Sequence, residues 1–171
     1  DYRPVNDEDS PEFIDHMRRQ YASVLKMCDE NLGRVLDAMD EYGLWEDTML
    51  IVNTDHGFLL AEHGQWAKCH CPFYAEVAHT PLFIWDPRCG KKGTRTNCLV
   101  QTIDLPATLL EYFGEPLTKD MEGRPLRPVL EHDEPVREGA LFGIFGGQVC
   151  CTDGEWGYMR SPLLGNQPRH E

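Results

Sequence analysis

The chain has 171 residues, 41% of them hydrophobic and 26% charged. That is the balance of an ordinary globular protein rather than of a disordered segment, a collagen or a coiled coil, and a chain of this length buries roughly 70% of its unfolded surface. Twenty-nine acidic side chains against sixteen basic ones leave a net charge of -13. Such a field repels phosphate backbones, so nucleic acid is not an expected partner, and an anionic small molecule requires a strong local cation to bind. No apolar run approaches the roughly 20 residues of a membrane span. The seven cysteines are odd in number and include the adjacent Cys150 and Cys151. They read as free thiols of a reducing compartment, which favours the cytoplasm. The chain opens at Asp1 without a signal-peptide pattern, which says little about localisation.

In chain order, residues 1–9 are polar and acidic, as in a loop. Ser10-Pro11-Glu12 then supplies a capping side chain, a proline for the first helical position and an early acid, which together predict a helix start. Phe13, Met17, Tyr21, Val24, Cys28, Leu32, Val35, Leu36 and Met39 recur at helical spacing, predicting one long amphipathic helix on a core that ends near Tyr42-Gly43. Gly33 inside it costs about 1 kcal/mol relative to alanine and suggests close backbone packing. Met49-Leu50-Ile51-Val52 is apolar on both faces and reads as a central strand of a parallel sheet. Leu82-Phe83-Ile84-Trp85, between Pro81 and Pro87, reads as a second strand, and the intervening residues up to Asp104 include a basic loop from Gly90 to Thr94. Asp104 opens another amphipathic helix closed by Gly114. Between Ala140 and Arg160, two short β-runs flank Asp153-Gly154, a hairpin signal.

The order helix, buried strand, helix, buried strand, helix predicts an α/β domain. Its expected architecture is a layered, mostly parallel sheet with flanking helices over residues 1–135, followed at 136–171 by the start of a small antiparallel subdomain. In such sheets the ligand site lies beyond the carboxyl ends of the strands, where Asp55 and His56 stand.

Thr54-Asp55-His56-Gly57 places a carboxylate beside an imidazole at a strand end. Adjacent residues of an extended chain point opposite ways, so both reach one ion only if the backbone turns, and Gly57 eases such a turn. The same residues also fit an aspartate that caps the next segment and an ordinary hydrogen-bonded histidine. His63 reads as a loop histidine or as a group behind a metal ligand. His79 reads as shaping the loop into the second strand, and Lys91, Lys92 and Arg95 as a solvated loop. Trp66, Trp85 and Trp156 read as core or pocket wall. Cys69-His70-Cys71 has zinc-ligand residue types, but zinc sites favour Cys-x2-4-Cys with a second pair, so packing or loop thiols are expected.

Asp55-His56-Gly57, then Glu62-His63-Gly64, then Lys68 soon after Trp66, then Pro81-Leu82 at a strand start, form an ordered set. With Asp104 to Leu110 and Gly123-Arg124-Pro125-Leu126, this set resembles the sulfatase family, within the alkaline phosphatase superfamily, over roughly residues 20–130. The resemblance implies a partial alkaline-phosphatase-like fold. It implies Asp55 and His56 as downstream ligands of one divalent cation, usually calcium, with magnesium or manganese as alternatives because a histidine is less typical of calcium. It also implies Lys68 as the catalytic and substrate-binding lysine that contacts the sulfate oxygens. The substrate implied is a small-molecule or carbohydrate sulfate ester.

The family nucleophile lies in a Cys/Ser-x-Pro-x-Arg motif whose first residue is oxidised to formylglycine. Ser10-Pro11, Cys71-Pro72 and Ser161-Pro162 do not complete that pattern. The family's paired N-terminal aspartates and upstream Lys and His are also without counterparts. The sequence therefore looks like the C-terminal part of a sulfatase holding half of a site, with the upstream part of the same polypeptide as its partner and no turnover expected alone. A phosphate or phosphonate ester hydrolase of the same superfamily is the alternative, separated by the identity of the nucleophile. A non-catalytic binding module is the third reading, favoured if no divalent ion binds.

Overall fold

A computed structural model describes residues 3–68, 73–144 and 147–161, which form two compact units divided after Pro87. The Cys69-His70-Cys71 segment lies outside the described residues.

The first unit opens with the short strand β1 (Arg3–Pro4) and the 31-residue helix α1 (Pro11–Glu41). The expected start of α1 is the observed one: the Ser10 hydroxyl accepts the Phe13 amide at 3.2 Å, and Pro11 occupies the first turn. At the other end Tyr42 caps the helix and Gly43 follows in the left-handed region, φ 66°. There the absence of a side chain removes the steric penalty.

The expectation that α1 lies on a core along its length is corrected. Met39 is buried, the Phe13 ring meets Trp66 edge-on at 6.1 Å, and the Arg18 guanidinium donates to the Leu60 carbonyl and the Glu62 carboxylate, each at 3.0 Å. Between these anchored ends much of the apolar stripe is exposed, with Val24 55% and Val35 46% exposed and Cys28 exposed as well. Amphipathic spacing fixes which side chains share a face; it does not fix what covers that face. Gly33 has nothing within 4 Å of a hypothetical Cβ, so it does not mark close packing.

Then come β2 (Leu50–Asn53), β3 (Leu59–Leu60), β4 (Gln65–Ala67), the one-turn helix α2 (Ala75–Ala78) and β5 (Leu82–Trp85). The parallel pairing expected of the two apolar runs is not what forms. β2 and β5 pair antiparallel, Ile51 opposite Ile84 and Asn53 opposite Leu82. The chain between them is long enough for a crossover but holds the β3–β4 hairpin and a four-residue helix instead of the full helix that a parallel return usually takes. Nor are these strands buried as their apolar runs suggest: Leu50, Ile51 and Val52 are half-buried and Phe83 is 66% exposed. A second sheet has the order β1-β4-β3.

In the second unit, Arg88 to Cys98 are largely exposed, including the solvated Lys91, Lys92 and Arg95. Helix α3 (Asp104–Tyr112) starts and ends as its sequence predicts, with Gly114 at φ 72°. The buried Asp104 carboxylate accepts the Gln101 amide at 2.7 Å, the Arg124 amide at 2.9 Å and the Arg137 guanidinium. Helix α4 (Arg127–His132) follows, and then the meander β6 (Ala140–Gly143), β7 (Val149–Thr152), β8 (Gly157–Arg160). The hairpin expected around Asp153-Gly154 is β7–β8. Trp156 is 77% exposed, so it is not core. Among the described residues no helix is long and apolar enough to cross a membrane.

Asp9 ties the start of the first unit to β4: its buried carboxylate accepts from the Arg3 guanidinium, the Asn6 amide at 2.9 Å and the Trp66 indole at 3.2 Å. The Arg3 hydrogen bond, opposed by burial and helped by Asn6 and Trp66, holds this carboxyl well below the usual range. A depressed carboxyl contributes stability above its unfolded value of about 3.9, and that contribution is lost as pH falls further. Asp9→Asn is therefore expected to lower the melting temperature at pH 7 and to flatten its decline below about pH 4; melting curves taken across that range measure both.

Candidate functional site

Asp55 and His56 follow β2 after Thr54, and a bend at Asp55 breaks the extended alternation that would aim them apart. Local hydrogen bonds hold the bend. The His56 amide donates to Asp55 Oδ1 at 3.0 Å, and the Thr54 hydroxyl donates to the His56 carbonyl at 3.2 Å. His56 Nδ1 lies 2.9 Å from the Gly57 carbonyl, which can only accept, so Nδ1 carries a proton and Nε2 faces away from that carbonyl. Asp55 Oδ2 is 3.2 Å from that Nε2, and Lys68 Nζ contacts the same atom. The three side chains singled out in the sequence thus meet at one imidazole nitrogen.

Gly57 matters here for a reason the sequence did not reveal. Its φ is not in the left-handed region; what requires glycine is contact. A Cβ built on it would lie 1.7 Å from the Glu76 carbonyl oxygen, and the Gly57 amide donates to the Val77 carbonyl at 2.8 Å. The backbone of α2 is therefore seated directly under the Asp55-His56 bend. Val77 and Leu59, both buried, bind α2 to the hairpin, with Phe73 and Tyr74 packed against them.

Lys68 arrives from the other side, at the end of β4. The hairpin that carries it is tightly turned: Ala61 (φ 74°), His63 (φ 55°), Gly64 (φ 68°) and Ala67 (φ 72°) all take left-handed backbone. For the three non-glycine residues that costs roughly 1–2 kcal/mol each and persists only where surrounding contacts determine it. Ala67 is buried and immediately precedes Lys68, so its left-handed turn redirects the chain at the point where the lysine leaves the strand.

The electrostatics suit a cation or an anion in turn. The Asp55 side chain is 80% exposed and that of His56 34%. Partial desolvation pushes the Asp55 carboxyl up, but the charge of His56, the hydrogen bonds from the His56 and Asp55 amides and the charge of Lys68 outweigh it and hold the group below its ordinary value. Asp55 is an anion at neutral pH. Among the described residues no third His, Cys, Asp or Glu joins the pair as a metal cluster. His63 lies apart from it. Its ring stacks on Tyr74 with centroids 3.6 Å apart, and Nε2 sits 3.2 Å from each Glu76 carboxylate oxygen. His79 caps α2. Neither Tyr74 nor Glu76 stood out in the sequence, because their roles depend on a hairpin thirteen residues away.

In an α/β fold, the structure thus sets a carboxylate-imidazole pair after a strand end, faced by an ammonium. The comparisons with known proteins give the family. The sulfatase family model matches residues 1–115, and the chain belongs to that family. It is 33% identical over 121 residues to an N-acetylglucosamine-6-O-sulfatase of Bacteroides thetaiotaomicron, covering 71% of this chain and 21% of that protein. Among solved structures, a phosphonate monoester hydrolase from Silicibacter pomeroyi superposes with a TM-score of 0.81 at 25% identity, over 89% of this chain and 34% of its own. A protein solved in complex with its substrate D-glucosamine-2-N,6-O-disulfate superposes at 0.70 and 25% identity, over 81% of this chain and 30% of its own. The chain thus spans between a fifth and a third of the length of these relatives.

Gly57→Ala forces the Glu76 carbonyl away and is expected to destabilise the first unit by about 1–3 kcal/mol, read as a lower denaturant midpoint at an unchanged slope. An unchanged midpoint would mean that α2 does not seat as described.

Proposed function

We propose that this chain is part of a sulfuric ester hydrolase in which Asp55 and His56 hold one divalent cation and Lys68 meets the oxygens of the sulfate group. The observation that carries the reading is the convergence of Asp55 Oδ2, His56 Nε2 and Lys68 Nζ. The donor set fits a divalent ion in kind: one carboxylate, and one imidazole whose tautomer is fixed by a backbone carbonyl, the usual arrangement behind a metal-bound histidine. It fills two positions of a shell of six or more, and we assign the remainder to waters and to the upstream part of the same polypeptide. Calcium is the expected ion; magnesium and manganese accept the same pair.

When bound, the cation supplies fixed positive charge next to the oxygens of the transferred group. The chain's own residues do the rest of the work assigned here. Asp55 keeps its negative charge at neutral pH to hold the ion, and His56 offers Nε2 while Gly57 orients the ring. Lys68 sets an ammonium beside the oxygens on which charge builds, against a background of -13. The nucleophile is expected as a formylglycine, and no Cys/Ser-x-Pro-x-Arg motif that could form one occurs in these 171 residues. The chain alone therefore binds without turning over.

The exposed part of the α1 stripe supports a second part of this reading. An apolar stripe much of which is exposed along a helix about 46 Å long needs a partner surface. We assign that surface to the upstream part of the same polypeptide. The substrate proposed is a small-molecule or carbohydrate sulfate ester, supported by relatives named for a sulfated glucosamine. The likeness to a phosphonate monoester hydrolase favours a phosphonate or phosphate ester as the second reading.

Calorimetric titration of the chain with Ca2+ and Mn2+ is expected to give weak binding that Asp55→Ala reduces by about tenfold or more. Lys68→Ala should lower the affinity for inorganic sulfate without lowering that for the cation. Tighter binding of inorganic phosphate than of sulfate would move the assignment to the second reading. Titrations indifferent to both substitutions, or aryl-sulfate turnover by the purified chain that depends on Lys68, would contradict the proposal.

A further inference from the structure

We infer that His63 and Glu76 form a clamp that holds the β3–β4 hairpin, and with it Lys68, in place against His56; both are positioning residues. The inference rests on the proposed role of Lys68 for its functional meaning and on geometry alone for its mechanical one. His63 stands at the tip of the hairpin, five residues before Lys68, and reaches out of it to α2. There it is fixed twice, by stacking on Tyr74 with the rings 11° from parallel and by placing Nε2 at equal distances of 3.2 Å from both Glu76 oxygens. The Glu76 side chain lies in turn on the residue whose carbonyl faces Gly57. One residue of α2 therefore touches both halves of the site: its backbone seats the bend that aims Asp55 and His56, and its side chain grips the hairpin that delivers Lys68.

His63 itself adopts left-handed backbone at φ 55°. A β-carbon-bearing residue takes that conformation at a cost, and observed strain of this kind is held by the contacts around it. At the tip of the hairpin the ring stack and the carboxylate hold the His63 side chain itself, while Val5 donates to the Gly64 carbonyl at 2.9 Å and Arg18 to the Glu62 carboxylate at 3.0 Å on either side of it. The Glu76 carboxyl is held below its ordinary value by its own backbone amide first, against burial and with the help of His63, so the clamp has a charged acceptor at neutral pH. An ammonium on a long flexible stem loses orientation readily, and a small displacement at such a group is costly. β1 and Arg18 hold the hairpin on the side of α1; the clamp is its tie to α2.

The test uses the labelled 171-residue chain and inorganic sulfate. In Glu76→Ala, with the circular-dichroism melt showing a folded protein, the nuclear Overhauser contact between the Lys68 side chain and the His56 ring is expected to disappear, and sulfate affinity to fall roughly tenfold. Glu76→Gln keeps an oxygen acceptor for the His63 N–H and is expected to restore both, which a purely structural loss at this position would not do. Should Glu76→Ala fail to fold, Tyr74→Leu removes the ring stack while keeping an apolar side chain against Leu59 and Val77, and in its folded form must produce the same loss of contact. Persistence of the Lys68–His56 contact in either folded variant overturns the clamp. Loss of the contact with sulfate affinity unchanged leaves the clamp standing and refutes Lys68 as the sulfate-binding group.

Discussion

The arrangement depends on how closely one backbone can approach another. Gly57 has no side chain, so the carbonyl of Glu76 comes within a distance that any Cβ would forbid, and the Gly57 amide bonds to the next carbonyl along. That seat holds the bend after β2. With the bend in place, two neighbouring side chains that extended backbone would send to opposite faces turn toward one point. Everything assigned to the site, from the Asp55 carboxylate to the imidazole tautomer set by the Gly57 carbonyl, sits on this contact.

The electrostatic consequence is local. A chain carrying a net charge of -13 is a poor host for an anion, and each group at the site answers that in a different way. Asp55 stays ionised because His56 and Lys68 offset its partial desolvation, which suits it to hold a cation. Lys68 supplies the only positive side chain in contact with the His56 ring among the described residues. A field that is unfavourable over the whole surface can then be reversed over a few ångströms, the distance over which charge moves in ester cleavage.

Much of the local structure was legible because its causes are local. Ser10, Pro11 and Gly43 bound α1, Asp104 and Gly114 bound α3, and Asp153-Gly154 turns β7 into β8, each by backbone chemistry contained in a few residues. Asp55, His56 and Lys68 were singled out through the resemblance their ordered motifs carry, and the structure brings the three side chains together. What sequence could not give was anything set by distant partners. Strand direction for β2 and β5 followed from the connection between them, not from their apolar faces. Gly57 looked like a hinge and is a contact surface, and Gly33 looked like a contact surface and touches nothing. The apolar spacing of α1 marks a shared face, but much of that face is exposed rather than covered. Tyr74 and Glu76 carry no motif signal, because their meaning arises only when the hairpin folds over them.

The central claim is that Asp55 and His56 bind a divalent cation beside Lys68. The most direct measurement is a titration of the 15N-labelled chain with Mn2+, following paramagnetic broadening residue by residue. The account predicts that broadening begins at the Thr54–Gly57 bend and at Lys68, and that excess Ca2+ relieves it. Broadening that starts instead along the acidic surface of α1, or spreads evenly over the chain while these resonances stay sharp, would contradict it.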